Sequence, residues 1–218
     1  MVRLNHHKEN IVRLYHNTYS SNSRRVVMTA LHLQIPLDLV SVDLMDQGDR
    51  AKLLHINPNS KIPVLEHDDL LLWESCAIMQ YLTEQVPGQT LYPSAARERA
   101  DVNRWLFWCV QHFAPAIAIV VRENFVKRML GAGEPDMHEV ARGELQIAQF
   151  AYVLNEHLTQ RTWVCGDTLT LADFAIAAPL MATAQARLPV LQYEHLQSWF
   201  SRVQQLDCWQ RAAMQTLN

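Results

Sequence analysis

The sequence predicts a small α/β module followed by an all-helical one. Three observations carry this. Up to about Val86, short β-branched or period-two runs alternate with helical patterns. A Pro87-Gly88 break follows. Beyond Ala95 the patterned segments have helical spacing and none reads as a strand. The chain of 218 residues is 49% hydrophobic and 19% charged, too apolar for disorder and long enough for one or two cores.

Residues 11–15 form a β-branched run and read as the first strand. Residues 17–23 read as a polar loop, and 24–33 as a helix with Val26, Val27, Ala30, Leu31 and Leu33 on its apolar stripe. Pro36 ends that helix, because proline has no N–H to continue the ladder. Residues 37–44 alternate with period two and read as a second strand. A short helix at 47–55 leads to the turn cluster Asn57-Pro58-Asn59-Ser60. Residues 63–66 and 70–73 flank His67-Asp68-Asp69 as a hairpin, and 74–85 is helical. The predicted order is β-α-β-α-β-β-α.

In the second half, 98–129 reads as one long helix with Pro115 as a kink point, ended by residues 131–135. Residues 137–158 form a second long helix. Residues 171–187 form a third, apolar nearly all round and so expected at the centre. Helices at 194–206 and 208–214 complete the set. The expected division is an arm at 1–9, a first domain at 10–87, a linker at 88–95 and a helical domain at 96–218.

A net charge of −3 argues against a nucleic-acid-binding surface, which is usually strongly basic. No run approaches the ~18 consecutive apolar residues of a membrane span. The polar start does not read as a secretory signal, and His6 and His7 read as solvated. Cys76, Cys109, Cys165 and Cys208 are widely spaced without a CxxC pair, and the ten histidines are scattered. Free thiols in a reducing cytoplasm, and no metal site, are expected.

Four segments carry chemistry. Ile62-Pro63 follows the turn cluster. An ordinary trans proline there opens a strand, whereas a cis bond leaves the Ile62 backbone free to pair with a peptide-like ligand. Glu74-Ser75 stands between a strand and a helix, where it either caps the helix or holds a carboxylate and an ammonium. In Ser20-Ser21-Asn22-Ser23, hydroxyls at a helix start either cap it or donate to an anion, and the same geometry favours a thiolate. Thr170-Leu171-Ala172-Asp173 matches a capping box, and both Thr170 and Asp173 read as structural.

Taken together, these segments resemble the cytosolic glutathione transferase family over essentially the whole chain after residue 9. Residues 57–65 look like the segment around the family's cis-proline, 72–78 like its Glu-Ser motif and 169–173 like its C-terminal capping box. The resemblance implies a thioredoxin-like first domain and a bacterial serine-type member acting on glutathione and a small hydrophobic electrophile. It implies that Pro63 is cis, that Ile62 pairs with the cysteinyl unit, that Glu74 and Ser75 hold the γ-glutamyl end, and that Lys61 reaches the glycyl carboxylate. Ser20, six residues before Val26, is the implied donor to the sulfur. Tyr19 and Asn22 stand beside it as alternatives, and Gln47 is a candidate for the glycyl end. Trp108 and His112 are candidates for the electrophile pocket, on a helix that also carries Trp105, Cys109, Phe113 and Glu123. A cytoplasmic homodimer is also implied, without nucleic acid, membrane or metal as partner. Two other readings stay open: glutathione-dependent disulfide reduction, which Asn22 keeps in play, and a non-catalytic interaction module.

Overall fold

The computed structural model describes residues 11–214. The expected arm, with His6 and His7, lies outside the described residues.

The first half is built on β1 (Val12–His16), α1 (Ser21–His32), β2 (Leu37–Ser41), α2 (Gln47–Ile56), β3 (Val64–His67), β4 (Leu70–Trp73) and α3 (Ser75–Glu84). The strands form one sheet in the order β2-β1-β3-β4, with β1 parallel to β2 and the other pairs antiparallel. A row of leucines crosses it in register, Leu39–Leu14–Leu65–Leu72. Val12, Leu14 and Leu65 join the main core with α1 and α3. Tyr15 and Val64 lie with Leu53 of α2 in a second cluster, as period-two alternation requires. This is the thioredoxin-like arrangement. Helix α1 starts at Ser21 rather than at residue 24, because Ser20 caps it and Ser-Asn-Ser forms its first turn.

The second half is helical, with one isolated bridge between Trp163 and Gly166. Helix α4 (Ala96–Trp108), a widened π segment (Cys109–Phe113), α5 (Ala114–Val121), a second π segment (Arg122–Val126) and α6 (Lys127–Met129) form one continuous run. Pro115 does not break it. The π segment immediately before it absorbs the missing N–H, and Ala114 N–H reaches back to Cys109 O. By length and composition this run could cross a membrane, yet Val102, Leu106, Phe113, Ile117 and Val120 are buried in the main core. Helix α7 (Met137–Leu158) packs along α5. The segment expected as one helix at 171–187 is divided into α8 (Leu171–Ala177), a 3-10 stretch (Ala178–Ala182) containing Pro179, and α9 (Thr183–Ala186). Every residue of α8 is buried, so its central place is as expected. Helices α10 (Glu194–Gln204) and α11 (Asp207–Met214) follow.

Helix α1 joins the halves. It packs on α3, and on α8, the 3-10 stretch and α11. Arg25 is fully buried, and its guanidinium points at Cys76 Sγ (3.7 Å) and Cys109 Sγ (3.9 Å). Arg24 lies over the Trp209 ring at 4.1 Å and donates to its carbonyl at 3.0 Å, and burial brings its pKa down to about 10. The orientation of the N-terminus of α1 is therefore set by both halves.

Two stability predictions arise here. A Cβ at Gly143 would sit 2.7 Å from Val120 Cγ2 and 3.0 Å from Ile119 Cγ2, both on stiff β-branched side chains. Gly143→Ala gains about 1 kcal/mol in helix propensity but overpacks the α5–α7 seam at a cost of ~1–3 kcal/mol. A net destabilisation is expected in urea titrations, and a stabilised variant would contradict the tight seam. Burial also lowers the pKa values of His16 and His157 from 6.5, so the folded state resists their protonation. Their contribution is present above about pH 6.5 and is lost as pH falls toward the lowered values. The midpoint of unfolding should drop on that acidic side, and drop less in His157→Gln.

Candidate active site

A groove of about 450 Å³ runs between the two halves. One wall carries Lys61, Ile62, Pro63, Glu74 and Ser75, all drawn from the segments the sequence singles out. The Ile62–Pro63 bond is cis. Ile62 precedes Val64, the first paired residue of β3, so its backbone stands outside the sheet ladder. Asn57, read only as a turn residue, is buried and organises this wall. Its Nδ2 donates to Lys61 O at 2.7 Å, and its Oδ1 accepts from Asn59 N at 3.0 Å.

Glu74 is the N-cap of α3 but makes no capping bond with its side chain, so the exposed carboxylate is free of the helix. Its backbone has φ 73° and ψ 109°, a conformation that glycine adopts readily and glutamate does not. The strain keeps Glu74 at the mouth of the groove while Ser75, 6% exposed, begins the helix behind it.

The end of the groove is the start of α1. Ser20 is its N-cap, and Ser20 Oγ accepts from Ser23 N–H at 3.2 Å. That bond occupies a lone pair and leaves the hydroxyl proton available to donate. The next residues, Ser21 and Asn22, line the groove, whereas Ser20 itself is not among the lining residues of either cavity and adjoins them through Ser21. Tyr15 is not an alternative donor, because its hydroxyl is committed to Glu66 at 2.8 Å. Tyr19 is 63% exposed, with its ring 6.5 Å from that of Phe125, and it lines a second cavity rather than the groove. Gln47 opens α2 and is not among the groove residues.

The second cavity, about 220 Å³, meets the groove at Ser21, Ala114 and Ala118. Its walls are mostly apolar, including Ile117, Val121, Val126, Pro179 and Met181, with Arg122 among them. Trp108 and His112 are not there. Both pack on Phe150 of α7, with ring centroids 6.1 and 5.4 Å away. Glu123 is buried against Lys127 and accepts from Asp136 N–H at 2.8 Å. The face toward the cavities instead carries Val110, Ala114, Ala118, Val121 and Arg122. At about 100° per residue, a shift of two positions turns a side chain to the far side of a helix. The sequence signal for this face was small size, since Ala114 and Ala118 are one turn apart.

No cysteine is among the residues that line the groove or the second cavity. Burial pushes Cys109 and Cys208 up to about 11 and Cys165 to about 12. All four cysteines are free.

Residues 14–90 match the family model described as glutathione S-transferase, N-terminal domain, and 111–207 match the glutathione S-transferase, C-terminal domain. Glutathione S-transferase 3 of Zea mays is 30% identical over 207 residues, 92% of each chain. The chain belongs to the glutathione S-transferase family. A crystal structure of glutathione transferase F7 from Populus trichocarpa superposes with a TM-score of 0.84 at 26% identity, covering 94% of this chain and 99% of that one. Disulfide-bond oxidoreductase YfcG of Escherichia coli is 28% identical over 190 residues, 84% of this chain and 85% of that one.

In this transferase the capping box is complete. Thr170 N and Oγ donate to Asp173 Oδ2 at 2.9 and 3.1 Å, and Val164 N and Trp199 Nε1 donate to Oδ1 at 2.8 and 2.9 Å. Asp173 is fully buried, and burial pushes its carboxyl up against the pull of these donors. It lies away from the groove and holds α8, on which α1 rests.

Proposed function

We propose that the protein is a serine-type glutathione transferase that ionises glutathione beside Ser20 and attacks a small hydrophobic electrophile held in the second cavity. The observation that supports this is convergence: Ile62, Glu74 and Ser75 meet Ser21 and Asn22, the first turn of α1, around one groove that opens into an apolar cavity, and Ser20 caps that turn. Ile62 pairs its backbone with the cysteinyl unit, Glu74 and Ser75 hold the γ-glutamyl end, and Lys61 faces the glycyl carboxylate.

The energetics suffice without a metal or a protein base. A free thiol titrates near ~8.5, and lowering that by about two pH units takes roughly 2.7 kcal/mol. A hydroxyl hydrogen bond to a thiolate supplies ~1.5–3 kcal/mol, and the helix N-terminus adds ~0.3–1 kcal/mol. The thiolate sulfur then bonds to the electrophilic carbon. A halide leaves with the electron pair, or, in addition to an enone, the α-carbon takes up a proton. Family membership also supports a two-fold homodimer in the cytoplasm.

Disulfide reduction is the second reading, favoured by Asn22 in the groove and by the likeness to the oxidoreductase. The second cavity argues against it, since Arg122 is the single charged residue in its lining and a second tripeptide would leave its other carboxylate and its ammonium without charged partners there. Parallel assays with 1-chloro-2,4-dinitrobenzene and the disulfide of 2-mercaptoethanol decide between them. Faster turnover of the aryl halide is expected, and a strong preference for the disulfide would reverse the assignment.

Glu74→Gly separates function from stability. The strained backbone costs about 1–3 kcal/mol and glycine's extra chain entropy returns ~0.5–1. The variant is expected to unfold at higher urea, by about 1 kcal/mol, while calorimetry shows glutathione binding at least tenfold weaker. A less stable variant with unaltered affinity would contradict both roles.

A further inference from the structure

We infer that the second cavity selects an electrophile carrying a carboxylate, and that Arg122 anchors that group. The inference rests on the transferase reading for the identity of the cavity's occupant and goes further in naming its chemistry. A cavity of about 220 Å³ is small. An engineered apolar cavity of ~150 Å³ holds one benzene, so this one takes a single substituted ring. Its walls supply dispersion contacts but offer few groups to orient a ring. The exception is Arg122, a wall residue at the first position of the second π segment.

Among the described residues the guanidinium makes no hydrogen bond or salt bridge, and its charge contributes only the smallest of the effects that hold the Glu123 carboxyl down. Its neighbour Glu123 turns inward, where Lys127 and Asp136 N–H engage the carboxylate. A guanidinium presents a planar fork that matches a carboxylate with two parallel hydrogen bonds. Arg122 is exposed, so the pair forms at the cavity mouth, where water screens part of its strength and the fork geometry supplies the selectivity. A carboxylate entering the same cavity without the arginine would lose its hydration uncompensated. The walls therefore fit a ring, and the rim fits an anion on that ring. Tyr19, also in the lining, adds an aromatic face for the ring.

The test uses two ligands that lack a leaving group and so cannot be conjugated by substitution: 3,5-dinitrobenzoate and its methyl ester. Calorimetry on the full chain gives a Kd for each. Wild type is expected to bind the acid about three- to fivefold more tightly than the ester. In Arg122→Gln that preference should fall to within about twofold of unity, and in Arg122→Lys a partial preference should remain. Equal binding of acid and ester by wild type, no binding of either at millimolar concentration, or a preference that survives Arg122→Gln would overturn the inference. Glutathione binding and turnover of 1-chloro-2,4-dinitrobenzene are read separately on wild type. Their absence would remove the transferase reading, while the acid-over-ester preference still reports on the arginine.

Discussion

Ser20→Ala is expected to lower turnover of an aryl halide by roughly ten- to a hundredfold at neutral pH, the loss of one charge-assisted hydrogen bond of ~1.5–3 kcal/mol. The apparent pKa of bound glutathione should rise by about one to two pH units, so part of the lost rate returns in alkaline buffer. Affinity for glutathione should change little, because Ile62, Glu74 and Ser75 hold the rest of the tripeptide in this account. The same hydroxyl caps α1 through Ser23 N–H, so the variant also loses about 1 kcal/mol of stability. Ser20→Asp separates the two effects. Aspartate is an equally good cap but puts a negative charge where the sulfur must ionise. Stability near wild type with turnover at least as impaired as in Ser20→Ala is the expected pair of results. A pH–rate profile of Ser20→Ala matching wild type would move the donor role to Tyr19 or Asn22.

The second large effect is on folding. Asp173→Ala removes the acceptor for Val164 N, Trp199 Nε1, Thr170 N and Thr170 Oγ in a fully buried site. Each buried donor left unsatisfied costs about 1–3 kcal/mol. Four donors give about 4–12 kcal/mol, and removing a desolvated carboxylate returns part of that, so the expected loss is at least ~3–5 kcal/mol, a large share of the ~5–15 kcal/mol that holds a domain together. Urea titration should show a much lower midpoint or no folded baseline. Thr170→Ala removes one bond and should cost about 1 kcal/mol. Trp199→Phe in the Asp173→Ala background should recover part of the loss, because it deletes one orphaned donor; full additivity of the two substitutions would contradict direct pairing. Any effect of Asp173 on catalysis should follow stability, since it lies away from the groove.

The architecture was readable wherever period and punctuation agreed. The sheet half follows from period-two runs separated by Pro36, Asn57-Pro58 and Asp68-Asp69. A residue with two structural uses is ambiguous in the sequence. Ser21 to Ser23 looked like loop because serine and asparagine are poor inside helices, yet a first turn is where they serve best. The apolar run at 171–187 has the pattern of one helix, yet Pro179 inside it stands within a 3-10 stretch between α8 and α9.

The site divides in the same way. Ile62, Pro63, Glu74 and Ser75 occur in short local segments whose order along the chain fixes one wall, so they were legible. The opposite wall depends on the rotational phase of a 34-residue helical run interrupted by two π segments. Trp108 and His112 drew notice through their chemistry, but aromatic residues at helical spacing pack on Phe150 as readily as they face a ligand. Ala114, Ala118 and Arg122 gave no such signal. Small residues become a cavity wall only through what stands opposite them, and that is a tertiary property.

The central claim is that the groove grips glutathione with its sulfur at the Ser20 hydroxyl. A crystal structure of the protein soaked with glutathione tests it most directly. The account predicts the sulfur within about 3.5 Å of Ser20 Oγ and the cysteinyl backbone paired with Ile62. An empty groove at saturating ligand, or a sulfur bound out of reach of Ser20, would contradict it.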